Sequence, residues 1–148
     1  MSYQLSYDAD SRLIISGIEC DCPCEHNKPQ QDIYVGNGIV NNIAKYIRKR
    51  GLGAKCVLVA DNITWDVAGR KVRDLLAADG FEVVPCVIRR DGPMDPDESA
   101  VGSLTMHFDP TCDIALAVGS GVMNDCCRVL AHAAGIGHMV VGTAPSMD

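Results

Sequence analysis

The sequence predicts an α/β fold: a doubly wound, mostly parallel Rossmann-like sheet with helices on both faces. The first observation is that short apolar runs of strand length, such as residues 55–60 and 114–118, alternate with segments whose apolar residues recur at helical spacing. The second is that glycine or Asp-Asn turns separate these segments. Because parallel neighbouring strands need crossover connections, usually helices, the alternation favours a parallel sheet covered on both faces.

The first part of the chain is predicted to contain two short strands and one helix. The strands cover residues 12–16 and 32–35, and a loop rich in cysteine and proline lies between them. The helix is capped by Asn37 or Asn41 and ends at Gly51. Its predicted buried face carries four apolar residues at helical spacing, Ile39, Val40, Ile43 and Ile47.

The remainder of the chain alternates regularly between the two kinds of element. Strands are predicted at residues 55–60, 81–88, 114–118 and 138–141. The helix after the first of these strands starts at Asp61-Asn62, and Gly80 ends it. Its predicted buried face is formed by Ala68, Val72, Leu75 and Leu76. A weaker helix is predicted at 97–107, a third follows the turn at 119–121, and a polar turn occupies 143–148.

Composition limits the possible functions. With 148 residues and 47% hydrophobic content, the chain can form one domain with a substantial core, in which residues 1–31 are an N-terminal strand and loop and residues 32–148 the Rossmann-like part. A net charge of −6 gives no footprint for nucleic acid, and the basic residues 45–50 fit a helix end that complements the helix dipole. No apolar run approaches the roughly 20 residues of a membrane span. We therefore expect a cytoplasmic protein that binds neither nucleic acid nor membranes.

Six of the eight cysteines fall into two groups. Cys56, Cys86 and Cys112 lie in or beside apolar runs, where cysteine behaves as a small hydrophobic residue. The second group alternates three thiols and an imidazole that could bind a soft metal such as zinc: Cys20, Cys22, Cys24 and His26. This spacing differs from that of known structural zinc sites, and reduced thiols in a loop are the default alternative.

Asp61 directly follows a buried strand, a position that favours two roles for its carboxylate equally. A carboxylate there can accept hydrogen bonds from an adenosine ribose. Aspartate at a strand-to-helix junction also commonly caps the helix.

The turn Gly119-Ser120-Gly121 follows the next central strand and leads into a helix, so it points backbone N–H groups at one place, which suits a phosphate. The motif is weak alone, because position 124 is asparagine where G-x-G-x-x-G needs glycine. Asn124 and Asp125 can cap the helix or bind a ribose. In a doubly wound sheet, these turns and residues 143–148 meet at one crevice at the carboxyl ends of the strands.

The segments GSGVMND and AAGIGHMVVGTAPSMD closely resemble the sn-glycerol-1-phosphate dehydrogenases within the iron-containing alcohol dehydrogenase and dehydroquinate synthase-like superfamily. The segments VGNGIVNNIAKYI and LVADNITWDVAG match in order and spacing, so the resemblance covers nearly the whole chain from about Cys20 onward. Many superfamily members show G-G-G-S followed by Asp, whereas this chain has GSGVMND, as the glycerol-1-phosphate branch does.

The resemblance implies roles for particular residues. It implies that Asp61 binds the adenosine side of NAD(P)H and that Asp148 contacts the glycerol phosphate substrate. The pyrophosphate would lie against Gly119, Ser120, Gly121, Val122, Met123, Asn124 and Asp125. The nicotinamide half would lie against Thr143, Ala144, Pro145 and Ser146.

The resemblance also implies a reaction, in which dihydroxyacetone phosphate and sn-glycerol 1-phosphate interconvert by hydride transfer. In family members a helical C-terminal domain supplies an aspartate and two histidines to a divalent metal (zinc, nickel or iron), so we expect no catalytic or metal-binding residue in this chain. We expect an N-terminal part that binds nucleotide, from a full-length protein that forms homo-oligomers. The alternatives are a stand-alone nucleotide-binding module and part of a related glycerol dehydrogenase. Asp61 favours NAD, but Arg89 and Arg90 could offset this preference if their strand end lies close to it.

Overall fold

A computed structural model describes residues 3–16, 31–92 and 94–145 of the chain. The chain divides into two compact units, Met1–Ile39 and Val40–Asp148, which we describe separately. The predicted division at residues 31 and 32 therefore stays a prediction, and so does the assignment of both parts to one domain.

The first unit contains an antiparallel hairpin of strands β1 (Gln4–Tyr7) and β2 (Leu13–Ser16). In the turn, the Asp8 carboxylate accepts hydrogen bonds from the backbone N–H groups of Asp10 and Arg12, each at 2.9 Å. The sequence did not indicate β1, because its residues, QLSY, lack a continuous apolar run.

The predicted strand at residues 32–35 is wrong. The structure places there only an isolated bridge between Tyr34 and Arg12. The backbone N–H of Leu13 donates to the Ile33 carbonyl at 2.7 Å, and that of Val35 donates to the Ser11 carbonyl at 3.1 Å. A short apolar run becomes a strand only when a partner continues the ladder, and local composition does not reveal the partner.

The second unit is built on parallel strands in the spatial order β4-β3-β5-β6, counted over the described residues. The strands are β3 (Lys55–Asp61), β4 (Glu82–Ile88), β5 (Ile114–Gly119) and β6 (Gly137–Gly142). The helices are a 3-10 turn (Ile39–Asn42), α1 (Ile43–Arg50), α2 (Asn62–Thr64), a π turn (Trp65–Gly69), α3 (Arg70–Ala78), α4 (Glu98–His107) and α5 (Gly121–Ala134). The predicted α/β, Rossmann-like fold is confirmed.

Each face of the sheet has its own core. Leu58 of β3 and Leu116 of β5 belong to a cluster with residues of α1 and α3, including Ile47 and Leu76. The intervening residues of the same strands, such as Val57, belong to a second cluster with residues of α4 and α5. This alternation follows from the two-residue repeat of a strand, and both clusters are buried because helices cover both faces.

The helix predicted after Asp61 is interrupted. Trp65–Gly69 forms a π turn between α2 and α3. A Cβ added at Gly69 would lie 2.7 Å from Cε3 of Trp65, so the indole packs directly against the glycine backbone. The guanidinium carbons of Arg70 and Arg73 lie 5.7 and 5.5 Å from the indole ring. The predicted apolar face is nevertheless correct, since Val72 and Leu76 are fully buried.

Charged side chains join strands at the amino edge of the sheet. The Lys55 ammonium lies 2.8 Å from a Glu82 oxygen and 2.9 Å from an Asp109 oxygen. The Asp113 carboxylate accepts hydrogen bonds from the backbone N–H groups of Ala54 and Lys55, both at 3.0 Å. The hydrogen bond with Glu82 and then that with Asp109 raise the pKa of Lys55.

Asp109 gives a pH-dependent prediction. Hydrogen bonds from the Thr111 hydroxyl, from Lys55 and from the Thr111 backbone lower the pKa of Asp109 to about 2. Because the unfolded value is about 3.9, this carboxylate stabilises the fold above about pH 4 and loses its effect as the pH falls toward about 2. Urea unfolding at about pH 6 and about pH 3 should show a smaller acid-induced loss in Asp109→Asn than in the wild type. The control is Asp95→Asn, at an exposed site. If this variant reduced the acid-induced loss of stability as much as Asp109→Asn does, the assignment to Asp109 would be contradicted.

Candidate functional site

Strand order reverses between the two central strands of the sheet, at their carboxyl ends. β3 and β5 lie side by side, whereas β4, which follows β3 in the chain, lies outside β3, and β6 lies outside β5. The connections from these two central strands therefore leave in opposite directions. Open α/β sheets bind ligands at such a switch point, outside the carboxyl ends of the strands. Here those ends are Asp61 and Gly119.

Asp61 is the N-cap of α2 and is only 3% exposed. Its Oδ1 atom accepts a hydrogen bond from the Thr64 backbone N–H at 2.7 Å, and its own backbone N–H donates to the Thr64 hydroxyl at 3.1 Å. These reciprocal bonds form a capping box, which fixes the turn after β3. The capping interpretation is thus what the structure displays, and the ribose-binding interpretation stays a prediction.

Arg90, just after β4, forms an ion pair with the second oxygen of this carboxylate. Its Nη2 atom lies 2.8 Å from Asp61 Oδ2, and its Nη1 atom donates to the Gly92 carbonyl at 3.1 Å. Burial opposes ionisation of Asp61, but the hydrogen bonds from Thr64 and Arg90 outweigh it and lower the pKa of Asp61. The carboxylate is therefore ionised, paired and nearly enclosed.

The glycine turn after β5 lies beside this capping box. A Cβ added at Gly119 would lie 2.5 and 2.7 Å from Cγ and Cβ of Met123, distances that real Cβ atoms do not adopt. The same position is 3.7 Å from Cγ2 of Thr64. Only glycine lets β5 turn into α5 here, and the turn contacts the loop that follows β3.

The first backbone N–H groups of α5 have no acceptor within the helix. Ser120 is the N-cap, and within the described part of the chain its side chain makes no capping hydrogen bond. The first bond inside this 14-residue helix runs from the Asn124 N–H to the Ser120 carbonyl at 3.1 Å. The N–H groups of Gly121, Val122 and Met123 precede that bond, so they have no acceptor in the helix. Together with the helix dipole they form an environment that favours an anion.

The other predicted residues contribute in different ways. Met123 is 1% exposed and Val122 packs against the core, so both offer the backbone rather than the side chain to a ligand. Asp125 accepts hydrogen bonds from Asn124 at 3.4 Å and from Arg128 at 3.3 Å.

The third predicted loop also reaches this edge. The Thr143 N–H donates to the Gly119 carbonyl at 3.0 Å, which places the start of the loop beside the glycine turn. Ala144 and Pro145 follow it and are exposed. Ser146 and Asp148 lie outside the described residues.

Two residues at the edge were not among the predicted site residues. Thr64 could have been found from the Asp-x-x-Thr spacing at residues 61–64, which fits a capping box. The sequence connects Arg90 only with cofactor preference, because no local pattern joins this residue to one 29 positions earlier.

Side chains that could bind a metal ion do not cluster in the described part of the chain. No group of three or more histidine, cysteine, aspartate or glutamate side chains there could hold a metal ion. The cluster Cys20, Cys22, Cys24 and His26 lies outside the described residues.

The three cysteines predicted to be in the core, Cys56, Cys86 and Cys112, are buried and free, as expected. Burial raises the pKa of the Cys56 thiol to about 12. None of the helices described is long and apolar enough to cross a membrane.

Comparison with known proteins identifies the family. Residues 34–148 match the model of the iron-containing alcohol dehydrogenases. The chain belongs to this family. The resemblance inferred from its sequence segments is confirmed.

Two curated relatives are glycerol-1-phosphate dehydrogenases [NAD(P)+]. The protein from Halalkalibacterium halodurans is 32% identical over 133 residues, which cover 88% of this chain and 33% of that protein. The protein from Thermoplasma acidophilum is 28% identical over 118 residues, which cover 80% of this chain and 32% of that protein. The chain thus spans about a third of the length of these relatives.

Solved structures agree on the fold. An archaeal halo-thermophilic alcohol dehydrogenase from a Red Sea brine pool superposes with a TM-score of 0.56 at 25% identity, over 88% of this chain and 30% of that one. A 1,3-propanediol oxidoreductase superposes with a TM-score of 0.59 at 23% identity, over 74% of this chain and 33% of that one. Both likenesses concern the α/β fold described above.

Proposed function

We propose that this chain is the NAD(P)(H)-binding part of an oxidoreductase that interconverts dihydroxyacetone phosphate and sn-glycerol 1-phosphate. The observation that carries the proposal is the switch-point crevice, where the capping box of Asp61 lies beside the glycine turn at Gly119. The curated relatives named glycerol-1-phosphate dehydrogenase support the choice of reaction.

The pyrophosphate of the cofactor fits the start of α5. Three consecutive N–H groups, those of residues 121–123, precede the first bond of the helix, and the dipole of a long helix adds a partial positive charge. Gly119 allows close approach because it has no side chain between β5 and Met123. Backbone donors of this kind recognise a phosphate without a dedicated cation.

The two ends of the cofactor lie, in this proposal, on opposite sides of the glycine turn. The adenosine half lies toward Asp61 at the end of β3, and the nicotinamide half lies toward Thr143 after β6, in the order of the strands. When bound, the nicotinamide supplies the hydride for reduction of the ketone. The part played by this chain is to bind and orient the cofactor.

The metal of the family reaction is not assigned to the described residues, since they do not gather the side chains to hold it. We infer from the family resemblance that an aspartate and two histidines of a C-terminal domain hold the metal. We therefore expect the chain to bind dinucleotide without turning over dihydroxyacetone phosphate. Turnover at a rate near that of a glycerol-1-phosphate dehydrogenase would contradict this part of the proposal.

Replacing Gly121 with proline tests the pyrophosphate site. Gly121 is the first residue of α5, a position where proline is tolerated, and the extended conformation of Ser120 is compatible with a following proline. The change removes one N–H donor, and we expect NADH to bind about tenfold more weakly, as for loss of a hydrogen bond to a charged group. Calorimetric titration of the purified chain with NADH gives the dissociation constants.

The matched control is Glu98→Pro, which removes the corresponding N–H at the first position of α4, a helix that also has an extended N-cap residue. We expect its affinity for NADH to equal that of the wild-type chain. Equal weakening in the two variants would mean that the nucleotide does not bind at α5.

A further inference from the structure

We propose that Arg90 is the residue that determines cofactor preference, because its guanidinium accepts the 2′-phosphate of NADP(H) at the adenosine end of the crevice. The inference rests on the proposed function and extends it, since it assigns a ligand group to a residue outside the glycine turn. It leads to the expectation that the chain binds NADPH at least as tightly as NADH.

The carboxylate at the end of β3 is enclosed and paired, so it is poorly placed to exclude NADP(H). In dinucleotide-binding folds an acidic residue at the end of the second strand accepts the ribose hydroxyls and repels a 2′-phosphate. The corresponding candidate here, Asp61, has a side chain that is only 4% exposed, and each carboxylate oxygen already has a donor. Its negative charge is paired with Arg90 at 2.8 Å, so a phosphate approaching this edge meets a neutralised carboxylate.

The Arg90 guanidinium has more hydrogen-bond donors than protein partners. The Arg90 side chain is 22% exposed, more than the carboxylate that it covers. Of its five N–H groups, one is directed to Gly92 and one to Asp61, and Nε has no partner among the described residues although it is buried. Because Nε is buried, the donors that remain for a phosphate are the second N–H groups of Nη1 and Nη2, which lie in the plane of the guanidinium.

Two contacts hold Arg90 in place at this edge of the sheet. Its backbone N–H donates to the side chain of Asn62 at 3.2 Å, which ties the end of β4 to the first residue of α2. Together with the ion pair to Asp61, this bond holds the guanidinium at the end of β3 before any ligand arrives. A cation held in place in this way loses little conformational freedom on binding an anion.

The experiment compares NADPH and NADH binding by calorimetry in the wild-type chain and in Arg90→Gln. We expect the substitution to weaken NADPH binding by about tenfold or more, as for loss of a charge-assisted hydrogen bond, and NADH binding by less than about threefold. Arg89→Gln is the matched control, because Arg89 is the exposed neighbour of Arg90. We expect both of its affinities to stay within about twofold of the wild type, since a charge in water is screened.

Two further variants separate a phosphate contact from a structural role. Arg90→Lys keeps the charge but loses the fork, so it should restore part of the NADPH affinity. Asp61→Asn can still accept the Thr64 N–H while it removes the charge that neutralises Arg90. It should therefore raise the ratio of NADPH to NADH affinity, whereas Arg90→Gln lowers that ratio.

The outcomes distinguish this inference from the proposed function. If the wild-type chain binds neither dinucleotide, the proposed function is wrong and this inference falls with it. If both dinucleotides bind and Arg90→Gln weakens them equally, or leaves the ratio unchanged, only the role of Arg90 is overturned. Circular dichroism of each variant shows whether it is folded, and the same comparison with 2′,5′-ADP and 5′-AMP isolates the 2′-phosphate.

Discussion

Replacing Gly119 with alanine is expected to weaken NADH binding by about tenfold or more and to lower the free energy of unfolding by about 1–3 kcal/mol. The new Cβ would lie 2.5–2.7 Å from Cγ and Cβ of Met123. These atoms are close to the helix backbone and cannot move as the end of a flexible side chain does. The first turn of α5 must therefore shift, and with it the N–H groups proposed to bind the pyrophosphate.

Calorimetric titration with NADH and urea unfolding measure the two effects of Gly119→Ala. The matched control is Gly102→Ala in α4, where an added Cβ meets nothing within 4 Å. We expect that control to keep wild-type affinity and to be more stable by up to about 1 kcal/mol, because alanine has the higher helix propensity. Unchanged affinity in a folded Gly119→Ala chain would argue against a pyrophosphate at this turn.

Replacing Gly53 with alanine is expected to give the largest loss of stability, about 3 kcal/mol or more. Gly53 has φ of +92°, a conformation that alanine rarely adopts, and an added Cβ would lie 2.4 Å from Cβ of Asp113. The Asp113 carboxylate also accepts the N–H groups of Ala54 and Lys55, both at 3.0 Å. The substitution thus strains the backbone and displaces the group that ties the start of β3 to the start of β5.

The comparison that isolates this contact is Gly51→Ala. Gly51 has φ of +63°, but an added Cβ there meets nothing within 4 Å. We expect this variant to lose only about 1 kcal/mol, the cost of the left-handed conformation alone. Urea unfolding of both variants gives the difference, and equal losses would mean that the contact with Asp113 contributes nothing.

The fold of the second unit was predictable because its signals are local and repeated. The run at 55–60 is apolar throughout, since β3 is buried on both faces, and helical spacing marks the segments on either side. Gly51 ends α1 in the left-handed conformation as its sequence position suggests. By contrast, residues 32–35 have the composition of a strand but form only one isolated bridge, between Tyr34 and Arg12. A strand needs a neighbouring segment that continues the pairing, and local composition does not reveal it.

The strand, glycine turn and helix at residues 114–134 were also predictable, because one continuous segment contains the signals of all three. The proximity of the glycine turn to Thr64 was not, since the two loops are joined only through the parallel pairing of β3 with β5. The π turn at Trp65–Gly69 likewise depends on how an indole packs against a glycine, which helical periodicity does not encode.

The sequence by itself determined the fold class, the family and the glycine turn before α5, because each depends on residues close together in the chain. Only the tertiary structure decided which groups surround the Asp61 carboxylate at the end of β3. The capping bond comes from Thr64, three residues away, whereas the partner of the second oxygen, Arg90, lies 29 residues away in the chain. The parallel register of β3 and β4 brings Arg90 to that carboxylate, and an ion pair in a nearly enclosed site fixes its charge and its hydrogen bonds.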